Sequence, residues 1–202
     1  MNEIQDTQKT YAQIASDYAA AWADRDSLDK QLARFLELVQ PEGRVFDIGC
    51  GPGFDTAVFQ QHHLSPIGLD YSMKMMLTGR RQHQISAPMV QVDMRQLPFT
   101  QCADGIWACA SLLHLPRAEM LPTLQGFYRL LKPGGLLYLS VKLGDGEGWS
   151  SLSYGHRAKR FYTYWQPDEL DELLQTAVYD IVDGWIDNAK GVQWLVRYAR
   201  KQ

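Results

Sequence analysis

The chain has 202 residues, 46% of them hydrophobic, with a formal net charge of −3 and a pI near 5.9. That length and apolar content suffice for one packed core, and the acidic balance excludes a global positive field that would hold nucleic acid or an anionic membrane from a distance. Cys50, Cys102 and Cys109 form neither an even disulfide set nor a CxxC pair, and the polar stretch at residues 1–10 has no secretory pattern, so a reducing, cytoplasmic chain without a membrane span is expected. From residue 11 to residue 39, Ile14, Tyr18, Trp22, Leu28, Leu32, Phe35, Leu36 and Val39 recur at helical spacing, which predicts N-terminal helices within residues 1–40. Pro41, Glu42 and Gly43 then signal a turn before a short apolar strand at 44–48, and Gly49, Gly51 and Gly53 lead into a helix at about 54–63. The alternation continues with a strand at 66–69, a helix at 73–82, a strand at 89–92, an irregular stretch at 95–101, a strand at 105–109, a helix at 117–131 and a strand at 136–141. Strand and helix units in series imply a doubly wound α/β fold, a parallel sheet covered on both faces. A helix at 167–177 precedes two β-rich runs, 179–186 and 193–199, around a turn at 187–191; they read as a hairpin that makes the sheet mixed. No linker divides the chain, which is read as one domain over residues 1–202, and the glycine-rich 144–148 is its one long flexible segment.

The chemistry concentrates at the strand ends. In the run Asp47-Ile48-Gly49-Cys50-Gly51-Pro52-Gly53 the glycines let the backbone take positive φ and let a ligand approach without meeting a Cβ, at the carboxyl ends of the strands of a parallel sheet, where ligands bind. A plain strand-to-helix turn would look similar. The acids narrow the choice: Asp70 ends the second strand, where a carboxylate accepts hydrogen bonds from a ribose diol, and Asp93 ends the third, where it can accept from an adenine amino group with Met94 against the ring. Asp47 precedes the glycines, which are spaced GxGxG rather than GxGxxG; an acid there disfavours a pyrophosphate and suits an ammonium. Taken singly, each acid could equally be a helix cap or a solvated loop carboxylate.

The runs VFDIGCGPG, GLDYS, QVDMRQLPF, DGIWACASLLHL and LLKPGGLLYLSVK resemble, in order, the successive motifs of class I S-adenosylmethionine-dependent methyltransferases, and the resemblance covers roughly residues 11–199. It implies a Rossmann-like sheet of seven strands in the order 3-2-1-4-5-7-6, with the seventh antiparallel. It also implies S-adenosylmethionine as cofactor and S-adenosylhomocysteine as product, with Asp47, Gly49, Cys50, Gly51 and Gly53 around the methionine part, Asp70 on the ribose, Tyr71 against the adenosine, and Asp93 with Met94 on the adenine. Ala110 and Ser111 would face the methionine part and the acceptor, and Tyr11 and Tyr18 would lie on a helix that closes over the cofactor.

A sulfonium methyl is already activated, so alignment is the main task, and His114 beyond the fourth strand is the candidate catalytic base, with pocket shaping as the plainer role. His62, His63, His83 and His156 lack ligand spacing, so no metal is expected, and Cys50 reads as a small turn residue rather than a reactive thiol. The acceptor side is expected in a loop at 143–166, where Trp149, Arg157, Arg160 and Tyr162 interleave aromatic and cationic groups suited to stacking or to gripping an anion. A small-molecule acceptor is favoured. A tRNA wobble-uridine-type activity, a non-catalytic S-adenosylmethionine-binding module and a nicotinamide oxidoreductase are the alternatives, and the chain is expected to be a monomer or a dimer.

Overall fold

The computed structural model describes residues 3–24, 26–189 and 191–202. The first helix, α1, spans Glu3–Trp22 and carries Glu3 and Asp6 in its first turn, where the helix dipole favours carboxylates. It begins well before Tyr11, where the apolar spacing starts. Its early buried positions are Thr7 and Thr10, which dock by hydrogen bonds: the Phe161 amide donates to Thr7 Oγ1 (2.9 Å) and Thr10 Oγ1 to the Lys159 carbonyl (2.7 Å). A 3-10 turn at Asp26–Leu28 leads into α2, Asp29–Leu38, which buries Gln31, Leu32 and Phe35.

The alternation predicted from the sequence follows as β1 Arg44–Ile48, α3 Phe54–Gln61, β2 Ser65–Asp70, α4 Met73–Gln82, β3 Met89–Gln91, β4 Ala103–Cys109, α5 Arg117–Leu130 and β5 Leu131–Leu143. After these come β6 Glu147–Trp149, β7 Phe161–Trp165, α6 Pro167–Thr176, β8 Tyr179–Ala189 and β9 Val192–Lys201. Lys190, inside the expected hairpin turn, lies outside the described residues. The main sheet runs β3-β2-β1-β4-β5-β9-β8, with β9 antiparallel to both β5 and β8, which is the seven-strand order the resemblance implies. Residues 143–166 are more ordered than a loop. Within them β6 and β7 form an antiparallel pair, and β7 joins the end of β5 in parallel at Lys142 and Leu143.

Because successive strand residues point to opposite faces, each central strand feeds two apolar layers. Phe46, Ile106, Leu137 and Leu139 pack toward Leu124 and Phe127 of α5 and Leu170 of α6. Val45, Trp107, Tyr138 and Tyr198 pack toward Phe35 of α2 and Phe59 of α3, with Trp107 stacked on Tyr138 at 3.7 Å between ring centroids. The Trp107 indole N–H, buried in that layer, is satisfied by Asp55 Oδ2 at 2.9 Å. Among the described residues no helix is long and apolar enough to cross a membrane.

Candidate active site

The glycine turn joins β1 to α3 with three left-handed residues, Gly49 (φ 74°), Gly51 (φ 56°) and Gly53 (φ 88°). A side chain at Gly49 would meet more than backbone strain, since its Cβ would lie 2.3 Å from the Cβ of Ser111. The turn is pinned to β2, because the Gly49 and Cys50 amides both donate to the Leu69 carbonyl, at 2.7 and 3.1 Å. The next residue of β2, Asp70, accepts the Gly51 amide on Oδ2 (2.8 Å) and the Ser72 amide on Oδ1 (2.6 Å). Burial pushes the Asp70 carboxyl above its usual range, and these two amides pull in the opposite direction. The carboxylate is thus held rigidly, with lone pairs left to accept from a diol.

A cavity of about 100 Å³ lies over these strand ends, and ten expected cofactor residues line it: Gly49, Gly51, Asp70, Tyr71, Asp93, Met94, Ala110, Ser111, Tyr11 and Tyr18. Asp47, Cys50 and Gly53 do not line it. Asp47 shares a strand face with Val45 and so points toward α3, where it is 2% exposed and accepts a hydrogen bond from Thr56 Oγ1 at 2.6 Å; its carboxylate lies beneath the turn. Cys50 is buried with its thiol pushed well up, first by burial and then by the nearby Asp47 and Asp70 carboxylates, which suits a packing residue. Gly53 caps α3 against Met89. Asp93 lines the cavity but is clasped by its neighbour, Arg95 Nη2 donating to Oδ2 at 2.7 Å. Burial acts to raise Asp93, yet the Arg95 hydrogen bonds prevail and hold its carboxyl below the ordinary range.

The residues fit an adenosyl amino acid on a specific observation. Ser72 Oγ and Ser111 Oγ are buried, line the cavity and have no hydrogen-bond partner, whereas buried hydroxyls are normally paired. Sequence reasoning missed Ile4, Thr7, Gln8, Ser72, Met75 and Leu115 in this lining. Ile4, Thr7 and Gln8 lie in a segment of α1 without apolar periodicity, and Met75 lies inside the helix expected at 73–82.

A second cavity, about 200 Å³, adjoins the first, and the two share Tyr11, Tyr18, Ala110 and His114 as a common wall. Of the four residues expected on the acceptor side, Arg160 and Tyr162 line this second cavity, together with Lys142 and Tyr154. Trp149 instead packs edge-on against Phe161, with centroids 5.5 Å apart, and Arg157 is exposed; neither lines either cavity.

His114 stands at the junction. Its Nδ1 lies 2.6 Å from the Phe161 carbonyl, which can only accept, so Nδ1 carries the hydrogen and Nε2 accepts from Tyr11 Oη at 2.8 Å. Tyr11 Oη in turn accepts from Arg160 Nη1 at 3.2 Å. Burial lowers the His114 pKa to about 3, the Phe161 carbonyl opposes this, and Arg160 and Lys142 reinforce it. The imidazole is therefore neutral and a weak base in this arrangement, a hydrogen-bond acceptor first. Among the described residues no group of three or more His, Cys, Asp or Glu could hold a metal ion.

Comparison with known proteins bears on the class of this domain. Residues 45–135 match the family described as Methyltransferase domain. Among curated relatives, the biotin biosynthesis bifunctional protein BioHC of Cellvibrio japonicus is 32% identical over 68% of this chain and 27% of its own length. The malonyl-[acyl-carrier protein] O-methyltransferase of Enterobacter lignolyticus is 28% identical over 68% of this chain and 55% of its length. The chain thus spans about a quarter of the first relative and about half of the second. The Burkholderia thailandensis 1,6-didemethyltoxoflavin-N1-methyltransferase, solved with its didemethyltoxoflavin and S-adenosylhomocysteine bound, has the same fold, with a TM-score of 0.79 at 23% identity over 98% of this chain and 88% of that one. Residues 45–135 thus form a methyltransferase domain, and the fold around them is that of the S-adenosylhomocysteine-bound neighbour.

Proposed function

We propose that this protein transfers a methyl group from S-adenosylmethionine, held in the first cavity, to an oxygen or nitrogen of a small molecule held in the second. The observation that carries this reading is the wall the two cavities share at Tyr11, Tyr18, Ala110 and His114, since donor and acceptor must meet across a short, dry gap. Bound there, the cofactor supplies a methyl already activated by its sulfonium. Asp70 accepts from the ribose hydroxyls, Asp93 and Met94 hold the adenine, and Ser111 and Ser72 hydrogen-bond the amino-acid part. Holding two reactants in line supplies about 7–11 kcal/mol of the barrier reduction, so alignment is the main work of this chain. Tyr11 and His114 orient the acceptor and exclude water, and His114 takes up a proton only where the acceptor is acidic enough to release one to so weak a base. A second cavity of only about 200 Å³ supports a small acceptor, as does the 1,6-didemethyltoxoflavin bound in the Burkholderia thailandensis structure. Transfer of a labelled methyl group from S-adenosylmethionine, measured separately in the small-molecule and tRNA fractions of a cell extract, tests this. Label in the small-molecule fraction is expected. Label in tRNA alone would favour an RNA acceptor, and tight cofactor binding without any transfer would favour a binding module.

A further inference from the structure

The second cavity has two ends of opposite polarity. At one end Lys142 of β5 and Arg160, which immediately precedes β7, line the cavity beside His114. The Lys142 ammonium lies 3.8 Å from the centroid of the Tyr162 ring, and the Arg160 guanidinium lies 5.2 Å from that same ring and 5.2 Å from Tyr154. Arg160 donates to neutral oxygens, Ser153 Oγ from Nε at 3.0 Å and Tyr11 Oη from Nη1 at 3.2 Å. Among the described residues neither cation forms an ion pair with a carboxylate. Ring faces and hydroxyls only partly replace the water that two half-buried cations give up. Burial, and then the charge of Arg160, lower the pKa of the Lys142 amine, so the pair is held together against its own repulsion.

At the other end Gln31 of α2 lines the same cavity and is 2% exposed. Its Nε2 donates to Asp187 Oδ2 at 2.8 Å, and its Oε1 has no hydrogen-bond partner. A buried amide oxygen left unpaired in a residue that lines a cavity is matched by a ligand that donates to it. Lys142 of β5 and Asp187 of β8 both pair with Trp194 of β9, so the cationic and acidic ends are two strand spacings apart, about 10 Å at the backbone. The side chains reaching inward leave a span that one planar ring with substituents at opposite ends can bridge, between aromatic walls that include Tyr18 and Trp194.

We propose that the methyl acceptor is a planar oxyanion, such as an aromatic carboxylate, whose negative group is gripped by Lys142 and Arg160 and whose opposite end donates a hydrogen bond to Gln31 Oε1. This rests on the methyltransferase reading of the site. The Asp187 carboxylate at the far end repels an anion there, so charge alone fixes which end of the acceptor lies beside His114 and the cofactor wall.

The test is calorimetric titration of the protein, saturated with S-adenosylhomocysteine, with 4-hydroxybenzoate, its neutral counterpart 4-hydroxybenzamide and its cationic counterpart 4-hydroxybenzamidine. The carboxylate is expected to bind about tenfold or more tighter than the amide, with the amidine weakest. Lys142→Met should remove that preference while leaving the amide unchanged. Gln31→Leu should weaken 4-hydroxybenzoate and leave benzoate, which lacks the hydroxyl, unaffected. Lys142 is the primary variant because Arg160 also ties Ser153 to Tyr11, and its loss would disturb the segment itself. Titration of S-adenosylhomocysteine alone into each protein separates the two readings. If the protein does not bind it, the methyltransferase reading fails. If it binds and the probes show no preference for the anion, or Lys142→Met leaves that preference intact, the acceptor class proposed here is overturned.

Discussion

Tyr11 of α1 and His114, 103 positions later in the chain, share a hydrogen bond of 2.8 Å that forms part of the partition between the two cavities. The bond defines the histidine as well as the partition. With Nδ1–H committed to the Phe161 carbonyl, the Tyr11 hydroxyl is the group that satisfies Nε2. Their rings also meet edge to face, with centroids 5.2 Å apart, so α1 is held to the sheet by both polarity and packing.

Replacing Tyr11 by Phe keeps the ring and deletes the donor, leaving a buried imidazole nitrogen unpaired. The expected cost is about 1–3 kcal/mol of stability. Urea denaturation measures it, and a loss near zero would mean that water or another group takes the place of the hydroxyl. Affinity for S-adenosylhomocysteine should fall less than turnover, because the lost group sits on the partition rather than on the strand ends.

The depressed pKa of His114 predicts how stability depends on pH. In the unfolded chain the imidazole takes up a proton near pH 6.5, whereas in the fold it resists until about pH 3. Between these values the unfolded state binds more protons, so stability falls as pH falls through that window, by up to about 1.4 kcal/mol per pH unit for one such group. His114→Gln retains hydrogen-bonding capacity and cannot titrate. Its stability should therefore decline less steeply than that of the native chain between pH 6 and pH 4. Equal slopes would show that His114 takes up its proton as readily in the fold as in the unfolded chain, so that its pKa is not depressed.

Asp70→Asn replaces one acceptor oxygen by an NH2 group facing either the Gly51 or the Ser72 amide, two donors in opposition. Hydrogen bonds to a charged group contribute about 1.5–3 kcal/mol, so the dissociation constant for S-adenosylhomocysteine should rise roughly 10- to 150-fold. Isothermal titration reads this directly, and an unchanged constant would remove Asp70 from the site.

Gly49→Ala places a Cβ 2.3 Å from that of Ser111 at a φ of 74°. Overlap and backbone strain together should cost about 2–4 kcal/mol, with loss of cofactor binding as the turn shifts off β2. Gly134→Ala is the control, because its φ of 73° carries the same strain with no atom within 4 Å of the added carbon. It should therefore lose the smaller amount due to strain alone and bind S-adenosylhomocysteine normally.

The sheet was legible in the sequence because its signals are local. Val45 and Phe46 before a glycine turn, Asp70 and Asp93 at the next strand ends, and the apolar period of each following segment all reside within a few residues of one another. The closing hairpin was legible for the same reason. The acceptor side was legible only in composition: Arg160 and Tyr162 face the cavity while Trp149 and Arg157 do not, and that choice depends on the pairing of β7 with the end of β5. The start of α1 was hidden because Thr7 and Thr10 are buried through hydrogen bonds to Lys159 and Phe161, contacts that leave no apolar pattern.

What the sequence by itself determined is the glycine turn and the acids at the ends of successive strands, since turn geometry and strand ends are set by neighbours along the chain, while the strand order was legible only through the family resemblance. What only the tertiary structure decided is the partition and the acceptor cavity beyond it. Tyr11, Gln31, His114, Lys142, Arg160 and Asp187 come from six different segments, and their charges and unpaired atoms acquire meaning only when the folded sheet brings them around one space.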